Sequence, residues 1–278
     1  MPIMSPQTYL DAMIRSQGYS TRKFHTRQSA YQNKPTLLQQ ATYHVHLINV
    51  VKAYDYGLLD SILATGVSPN PCNTFGESLV HMVSRRGDAK ALHIMIEHGC
   101  SVQVADDYGR TPLHDCCRAI EPAFDVAEYI LEIDVRLMHM TDCRGATPLS
   151  YVRKEHWAFW IEFLENKKEI FWPKRDLAND GEQEPPALAM LGASTQPLAT
   201  PANELTLELA DIVVSGKMQP EEAKFLQYDQ GDGDACDSSD DDGSEDDDSN
   251  NGSDDSGSSF DEGEMASILS NLSIRTGG

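Results

Sequence analysis

The sequence predicts an all-α solenoid of short helical repeats with helical caps, followed by a disordered acidic C-terminal tail. Three observations support this prediction. A pattern of residues returns after 33 positions, helix start and stop signals fall at the same place in each copy, and acidic residues crowd near the C-terminus. Self-similarity at a fixed period of this length is typical of stacked repeat architectures.

The repeat is most easily followed at a turn that recurs in each copy and at the helix after it. Gly76 returns as Gly109, and the run Ser78-Leu79-Val80-His81 returns as Thr111-Pro112-Leu113-His114. A further copy, Gly145-x-Thr147-Pro148-Leu149-Ser150, follows after 36 residues, which places a three-residue insertion near residues 119–124. The sequence therefore contains about three copies, together with a partial copy before them at residues 58–70.

Helix signals have the same position in each copy. Thr111 can cap a helix, and Pro112 suits the first helical position, where its missing N–H is harmless. Cys116 and Cys117 then share an apolar face with Leu113 at helical spacing, so we expect both thiols in the core. Each copy thus predicts a helix, a turn, a second helix and an extended finger.

The segment Asp107-Tyr108-Gly109-Arg110-Thr111-Pro112-Leu113-His114-Asp115-Cys116-Cys117 resembles the ankyrin repeat signature. The resemblance covers about residues 43–172 and implies an ankyrin-repeat solenoid. In that family the histidine of the signature usually bonds to the backbone of the neighbouring turn. For His81 and His114 the resemblance therefore implies a structural role, and Ser150 in the third copy agrees with it.

Five regions are predicted: an N-terminal flank (1–42), an ankyrin-repeat domain (43–173), a linker (174–202), a helical hairpin (203–228) and a disordered acidic tail (229–278). The aromatic-rich run from Trp157 is predicted to be the closing helix of the stack, ending at Pro173. Two interpretations stay open for the basic, aromatic stretch at 18–35, which either contacts RNA or an acidic surface, or lies on the repeats.

Charge is distributed very unevenly along the chain. Residues 229–264 contain 16 acidic residues and no Lys or Arg, out of a net charge of −22 for the whole sequence. Such a composition predicts disorder. The net charge disfavours binding to nucleic acid or anionic membranes, and it favours basic partners.

Several function classes lack the residues they need. The six cysteines show no CxxC pair, and the sequence has no phosphate-binding glycine loop, nucleophile elbow or His-Glu-x-x-His motif. We therefore predict no enzyme activity, no catalytic, cofactor-binding or metal-binding residues and no small-molecule substrate. No apolar run reaches the length of a membrane span. We therefore predict a cytoplasmic or nuclear location, where the cysteines stay as free thiols. We also predict a monomer.

The remaining hypothesis is a protein-binding module, an adaptor that holds a protein partner on the concave face implied by the ankyrin resemblance. The positions predicted to form that face are Phe75, Met82, Arg85, Asp107, Tyr108, Arg110, Asp115, Arg118, Arg144 and Tyr151. Two alternatives stay open. The acidic tail could act as a chaperone for basic proteins such as histones or ribosomal proteins, or the chain could be a non-catalytic subunit of an enzyme complex.

Overall fold

The repeat period translates into pairs of antiparallel helices. A computed structural model describes residues 4–31, 34–175 and 205–229 of the chain. All of these belong to one compact unit, Met1–Asp234. Most of the predicted linker and all of the predicted tail after Asp229 lie outside the described residues.

Eleven α-helices lie in the described residues. They are α1 (Pro6–Ser16), α2 (Leu37–Thr42), α3 (Val45–Lys52), α4 (Tyr56–Leu63), α5 (Leu79–Arg86), α6 (Ala89–Glu97), α7 (Pro112–Cys117), α8 (Phe124–Ile133), α9 (Trp157–Phe171), α10 (Leu207–Val214) and α11 (Pro220–Asp229). Short 3₁₀ turns occur at Thr26–Gln28, Val135–His139, Pro148–Tyr151 and Lys154–His156. Two strands of two residues each, β1 (Phe24–His25) and β2 (Met140–Thr141), pair in parallel.

The helices form four stacked pairs. Repeat 1 consists of α3 and α4, repeat 2 of α5 and α6, and repeat 3 of α7 and α8. The turn Pro148–Tyr151 packs on α7 and α9 packs on α8, so the two continue the inner and outer rows as a fourth pair. Each inner helix (α3, α5, α7 and that turn) precedes its outer partner. Glycines with positive φ close several of the turns, for example Gly99 at +89° after α6.

Extended fingers connect successive pairs. Finger 1 covers residues 72–78, finger 2 covers 105–111 and finger 3 covers 141–147. Neighbouring fingers are bonded through their backbones, since the Asp107 N–H donates to the Phe75 carbonyl at 2.9 Å and the Cys143 N–H donates to the Tyr108 carbonyl at 2.8 Å. The fingers therefore form a continuous ledge beside the inner helices.

The N-terminal segment 18–31, which we call the strap, is bonded to fingers 2 and 3. It reaches finger 3 through the β1–β2 pairing and finger 2 through the Ala105 N–H, which donates to the Tyr31 carbonyl at 2.8 Å. The Tyr31 hydroxyl donates to Asp134 at 2.5 Å, at the end of outer helix α8. The strap thus lies on the repeats, as one of the two interpretations expected.

Each end of the array is covered by the opposite end of the chain. Helix α1 packs against α9 and the fourth inner turn, and Gln17 donates from its side-chain amide to Glu169 at 2.8 Å. At the other end α10 packs on α2 and α11 on α4, and the Leu205 N–H donates to the Gly66 carbonyl at 3.2 Å. Residues 205–229, which include most of the predicted hairpin, therefore pack on the array.

The core follows the predicted faces. Leu113, Cys116 and Cys117 are buried together, and Trp160 and Trp172 close the C-terminal end of the stack. Residues 37–54, whose sequence favours helix, do not form one continuous helix, because the chain is interrupted at Tyr43–His44 between α2 and α3. The boundaries of the five predicted regions stay predictions.

Candidate functional site

Histidines join the fingers to the inner helices and so define the groove between them. In repeat 2 His81 accepts a hydrogen bond from the Ser78 N–H at Nδ1 (3.2 Å), and its Nε2 lies 2.9 Å from the Arg110 carbonyl oxygen. Because a carbonyl only accepts, Nε2 carries the proton. His114 repeats the arrangement with Thr111 and with the Ala146 carbonyl, 3.2 Å away. Both histidines therefore have the structural role that was predicted.

The tips of the fingers carry an exposed row of large side chains. Phe75, Tyr108 and Arg144 each precede the glycine of their finger, and all three are exposed. The Phe75 side chain is 64% exposed and that of Tyr108 is 57% exposed. The Arg110 guanidinium lies 5.1 Å from the Tyr108 ring centroid, which helps to hold the ring at the edge of the groove.

The floor of the groove contains a shared buried carboxylate. Asp115 accepts from Arg118 at 2.8 Å, and the Arg85 guanidinium lies 3.7 Å from the same oxygen. Arg85 also pairs with Glu77 on finger 1 at 3.1 Å. The Asp115 side chain is 2% exposed, whereas those of Arg85 and Arg118 are 36% and 35% exposed. Solvent in the groove therefore meets the guanidinium groups and not the carboxylate.

The pair Tyr151 and Asp142 occupies the C-terminal part of the groove. The Tyr151 hydroxyl donates to Asp142 at 2.6 Å. Burial raises the pKa of Asp142, but hydrogen bonds from Tyr151 and from the backbone N–H groups of Ala146 and Arg144 outweigh burial and hold that pKa below its usual value. Burial, together with the Asp142 carboxylate, raises the pKa of Tyr151 to about 12. The pair is thus a phenol bonded to a carboxylate at neutral pH.

Comparison with protein-family models supplies the deciding observation. A model described as ankyrin repeats matches residues 47–142 in three copies. The chain contains an ankyrin-repeat domain. A comparison with curated proteins gave no significant match. The fourth helical pair, which includes α9, lies beyond the matched residues and completes the ankyrin stack in the structure.

The ten predicted positions of the ankyrin groove differ in accessibility. Phe75, Asp107, Tyr108 and Arg144 are exposed on the fingers, and Arg85, Arg110, Arg118 and Tyr151 are half-buried between the fingers and the inner helices. Met82 and Asp115 are buried. These two therefore lie in the floor of the groove, and only the other eight are accessible to solvent.

Three residues at repeat positions of the groove were missed by the sequence reasoning. Glu77 was detectable, because it lies 33 positions before Arg110, which was predicted. Lys52 and Lys154 were detectable too, because they lie 33 positions before Arg85 and 36 positions after Arg118, the two spacings of the repeat. They give the first and fourth pairs a basic residue at the same repeat position.

Within the described residues no three His, Cys, Asp or Glu side chains lie together so that they could hold a metal ion. Within residues 4–31, 34–175 and 205–229 no helix is long and apolar enough to cross a membrane. Cys116 and Cys117 are buried free thiols, and burial raises the pKa of the Cys116 thiol to about 12.

Proposed function

We propose that this chain is a non-enzymatic adaptor that binds a protein partner in its ankyrin groove. The observation that carries the proposal is the exposed row on the fingertips. Phe75 and Tyr108 place two aromatic rings in solvent at equivalent positions of neighbouring fingers, 64% and 57% exposed, although burial of such rings is favourable. Aromatic residues and arginine are the side chains most often responsible for binding energy at protein interfaces.

The rigidity of the ledge supports the same function. The fingers are bonded to one another, and His81 and His114 bond each finger to the inner helix beside it. A partner that meets a preformed surface loses less conformational entropy on binding than one that must order it. Ankyrin repeats in general serve as protein interaction modules, and the groove here has the exposed side chains that this role needs.

The test compares two aromatic sites of similar exposure. The double substitution Phe75→Ala/Tyr108→Ala removes the fingertip rings, and Phe159→Ala removes a ring that is 54% exposed on outer helix α9. Proteins captured by the tagged full-length chain are identified by mass spectrometry. We expect the double variant to lose its partner, at a cost of about 2 kcal/mol or more, while Phe159→Ala retains it. Capture of the same partner by all three chains would exclude the groove.

A second candidate function concerns the acidic residues 229–264. A chaperone for basic proteins is favoured by their 16 carboxylates, and it would bind through the tail and not through the groove. Deleting residues 230–278 separates the two, because a tail-bound basic partner is lost while a groove-bound partner is kept. We place either function in the cytosol or nucleus, where free thiols persist.

A further inference from the structure

A basic residue occurs at the same repeat position in each of the four pairs. Lys52 ends α3, Arg85 lies in the last turn of α5, Arg118 follows α7, and Lys154 follows the fourth inner turn. We call these four residues the basic row. Its central members are in register in space as well as in sequence, since Arg85 and Arg118 reach the same oxygen of Asp115.

The basic row is available to a partner. Lys52 and Lys154 are exposed, and among the described residues neither ammonium group lies within ion-pair distance of a carboxylate. Arg85 and Arg118 share the buried Asp115, and Arg85 also pairs with Glu77 on finger 1, so two carboxylates balance the two arginines. About a third of each arginine side chain nevertheless stays exposed, and these atoms can donate to a ligand. The exposed atoms of the row are therefore cationic donors.

Stabilisation of helix ends does not account for the whole row. Cations at the last turn of a helix are favoured by the helix dipole, which explains part of the preference at Lys52, Arg85 and Arg118. Lys154 begins the 3₁₀ turn Lys154–His156 and follows the 3₁₀ turn Pro148–Tyr151, so no α-helix ends beside it. The row nevertheless continues there.

The spacing of the row gives the chemistry of its ligand. Packed helices lie about 8–10 Å apart, and an extended chain advances roughly 3.3 Å per residue, so one repeat corresponds to about three residues of an extended ligand. Resting on the proposed function, we infer that the groove binds an extended protein segment with a carboxylate at every third residue. Its carboxylates pair with Lys52, Arg85, Arg118 and Lys154, and its intervening side chains face the fingertip rings.

A set of synthetic peptides tests this inference on the full-length chain. The first is a fluorescent peptide of about twelve residues with glutamate at every third position, and the second has the same composition with its glutamates adjacent. Binding is measured by fluorescence anisotropy at about 0.15 M salt, where charges more than roughly 8 Å away are largely screened. We expect the spaced peptide to bind about tenfold more tightly than the clustered one.

Matched lysine variants then locate the site. Lys52→Gln/Lys154→Gln removes the two ends of the basic row without disturbing an ion pair, and Lys90→Gln/Lys174→Gln removes two exposed lysines that lie outside it. We expect the first pair to weaken binding of the spaced peptide by about tenfold and the second by less than about twofold. Both variants should keep the unfolding transition of the parent chain.

Three results would overturn the inference. Equal affinity for the two peptides would show that the carboxylate spacing does not matter. Equal effects of the two lysine pairs would show that the basic row is not the binding site. Tighter binding of a uridine homopolymer through the row would show that its ligand is RNA and not protein. The adaptor proposal fails separately. If Phe75→Ala/Tyr108→Ala loses a natural partner that has no such carboxylate pattern, the groove still binds protein and only its ligand chemistry is wrong.

Discussion

The middle of the array and its two ends are stabilised by contacts of different range. In repeats 2 and 3 the contacts join residues about one repeat apart, such as His81 with Arg110, 29 positions along the chain. At the C-terminal end they join residues more than 150 positions apart, such as Tyr19, whose hydroxyl donates to the Pro173 carbonyl at 2.9 Å. The middle is thus built from near neighbours, whereas the ends require both termini of the chain.

This difference separates what a repeat protein can extend from what it must complete. A stack of repeats exposes an apolar surface at each end, and terminal segments must cover it. Here the covers are exchanged, because α1 lies on the last pair and α10 and α11 lie at the first. Long loops must close before these contacts form, which costs chain entropy. We therefore expect the ends to fold after the middle.

Removing one cover should have the largest effect. Deletion of residues 1–31 takes away α1 and the strap, including the fully buried Leu10, Ile14 and Tyr31. Each such side chain contributes about 1.5–3 kcal/mol, so we expect the free energy of unfolding to fall by more than about 5 kcal/mol. Urea denaturation followed by circular dichroism measures this.

The control is deletion of residues 230–278, whose composition predicts disorder, and this deletion should leave the transition within about 0.5 kcal/mol. Ile14→Ala provides a milder version if the N-terminal deletion prevents folding, with an expected loss of about 2–5 kcal/mol. A deletion of residues 1–31 that leaves stability unchanged would show that the array does not need its N-terminal cover.

The same difference in range explains what the sequence could predict. The helices of repeats 2 and 3 recur at the repeat period, so local pattern was sufficient to predict them. The structural roles of His81 and His114 came from the ankyrin resemblance. The strap and the exchanged covers depend on contacts that leave no periodic trace. The hydroxyl of Thr26 is one example, since its role depends on two carbonyl oxygens of distant fingers.

The groove was predicted only in part for a related reason. The ankyrin resemblance places Met82 and Asp115 on the concave face, but both are buried, and Asp115 is paired with Arg85 of the neighbouring helix. The pattern of one repeat does not reveal such contacts with the next. The fingertips were easier, because Phe75 and Tyr108 have no core position to occupy. Whether these residues bind a partner stays a prediction.

A substitution in the middle of the array should cost less than the loss of a cover. Leu113 is fully buried in α7, and Leu113→Ala should lower the free energy of unfolding by about 2–5 kcal/mol through the cavity it leaves. Leu10→Ala makes the same change in α1. If the ends fold last, hydrogen exchange in Leu10→Ala accelerates first in α1, whereas Leu113→Ala accelerates exchange throughout the array. Indistinguishable exchange patterns would contradict separate folding of the ends.

His139 lies between the array and its N-terminal cover, and it should make stability depend on pH. Burial, with Lys23 nearby, lowers its pKa to about 4, and among the described residues neither ring nitrogen has a hydrogen-bond partner. An unfolded histidine titrates near 6.5, so the unfolded chain binds more protons between about pH 6.5 and 4. Stability therefore falls as the pH drops through that window, by roughly 3 kcal/mol for this residue.

His139→Leu should remove that share of the pH dependence and raise the free energy of unfolding at pH 7 by about 1–2 kcal/mol, since no hydrogen bond is lost. His114, whose pKa burial also lowers to about 4, should keep its own share. Denaturation curves at pH 7, 5.5 and 4.5 compare the two chains. Parallel pH profiles for parent and variant would show that folding does not lower the pKa of His139.

Two equivalent glycines separate the cost of a finger turn from the cost of losing the strap. Gly109 and Gly145 occupy equivalent positions in fingers 2 and 3, with φ of +76° and +77°. A β-carbon at Gly145 would meet nothing within 4 Å, so Gly145→Ala costs only the backbone strain of a left-handed alanine, about 1–2 kcal/mol. A β-carbon at Gly109 would overlap the Thr26 hydroxyl, which lies 2.7 Å from the Gly109 carbonyl oxygen and 2.8 Å from that of Thr141. Gly109→Ala should therefore cost about 1–2 kcal/mol more than Gly145→Ala, because the strap must give up those hydrogen bonds. The finger 3 backbone adds to this cost, since the β-carbon would lie 3.3 Å from the Asp142 Cα. Proteolysis offers an independent reading, since cleavage within residues 18–31 should accelerate in Gly109→Ala alone. Equal losses of stability and equal cleavage rates in the two variants would mean that Thr26 does not hold the strap to the fingers.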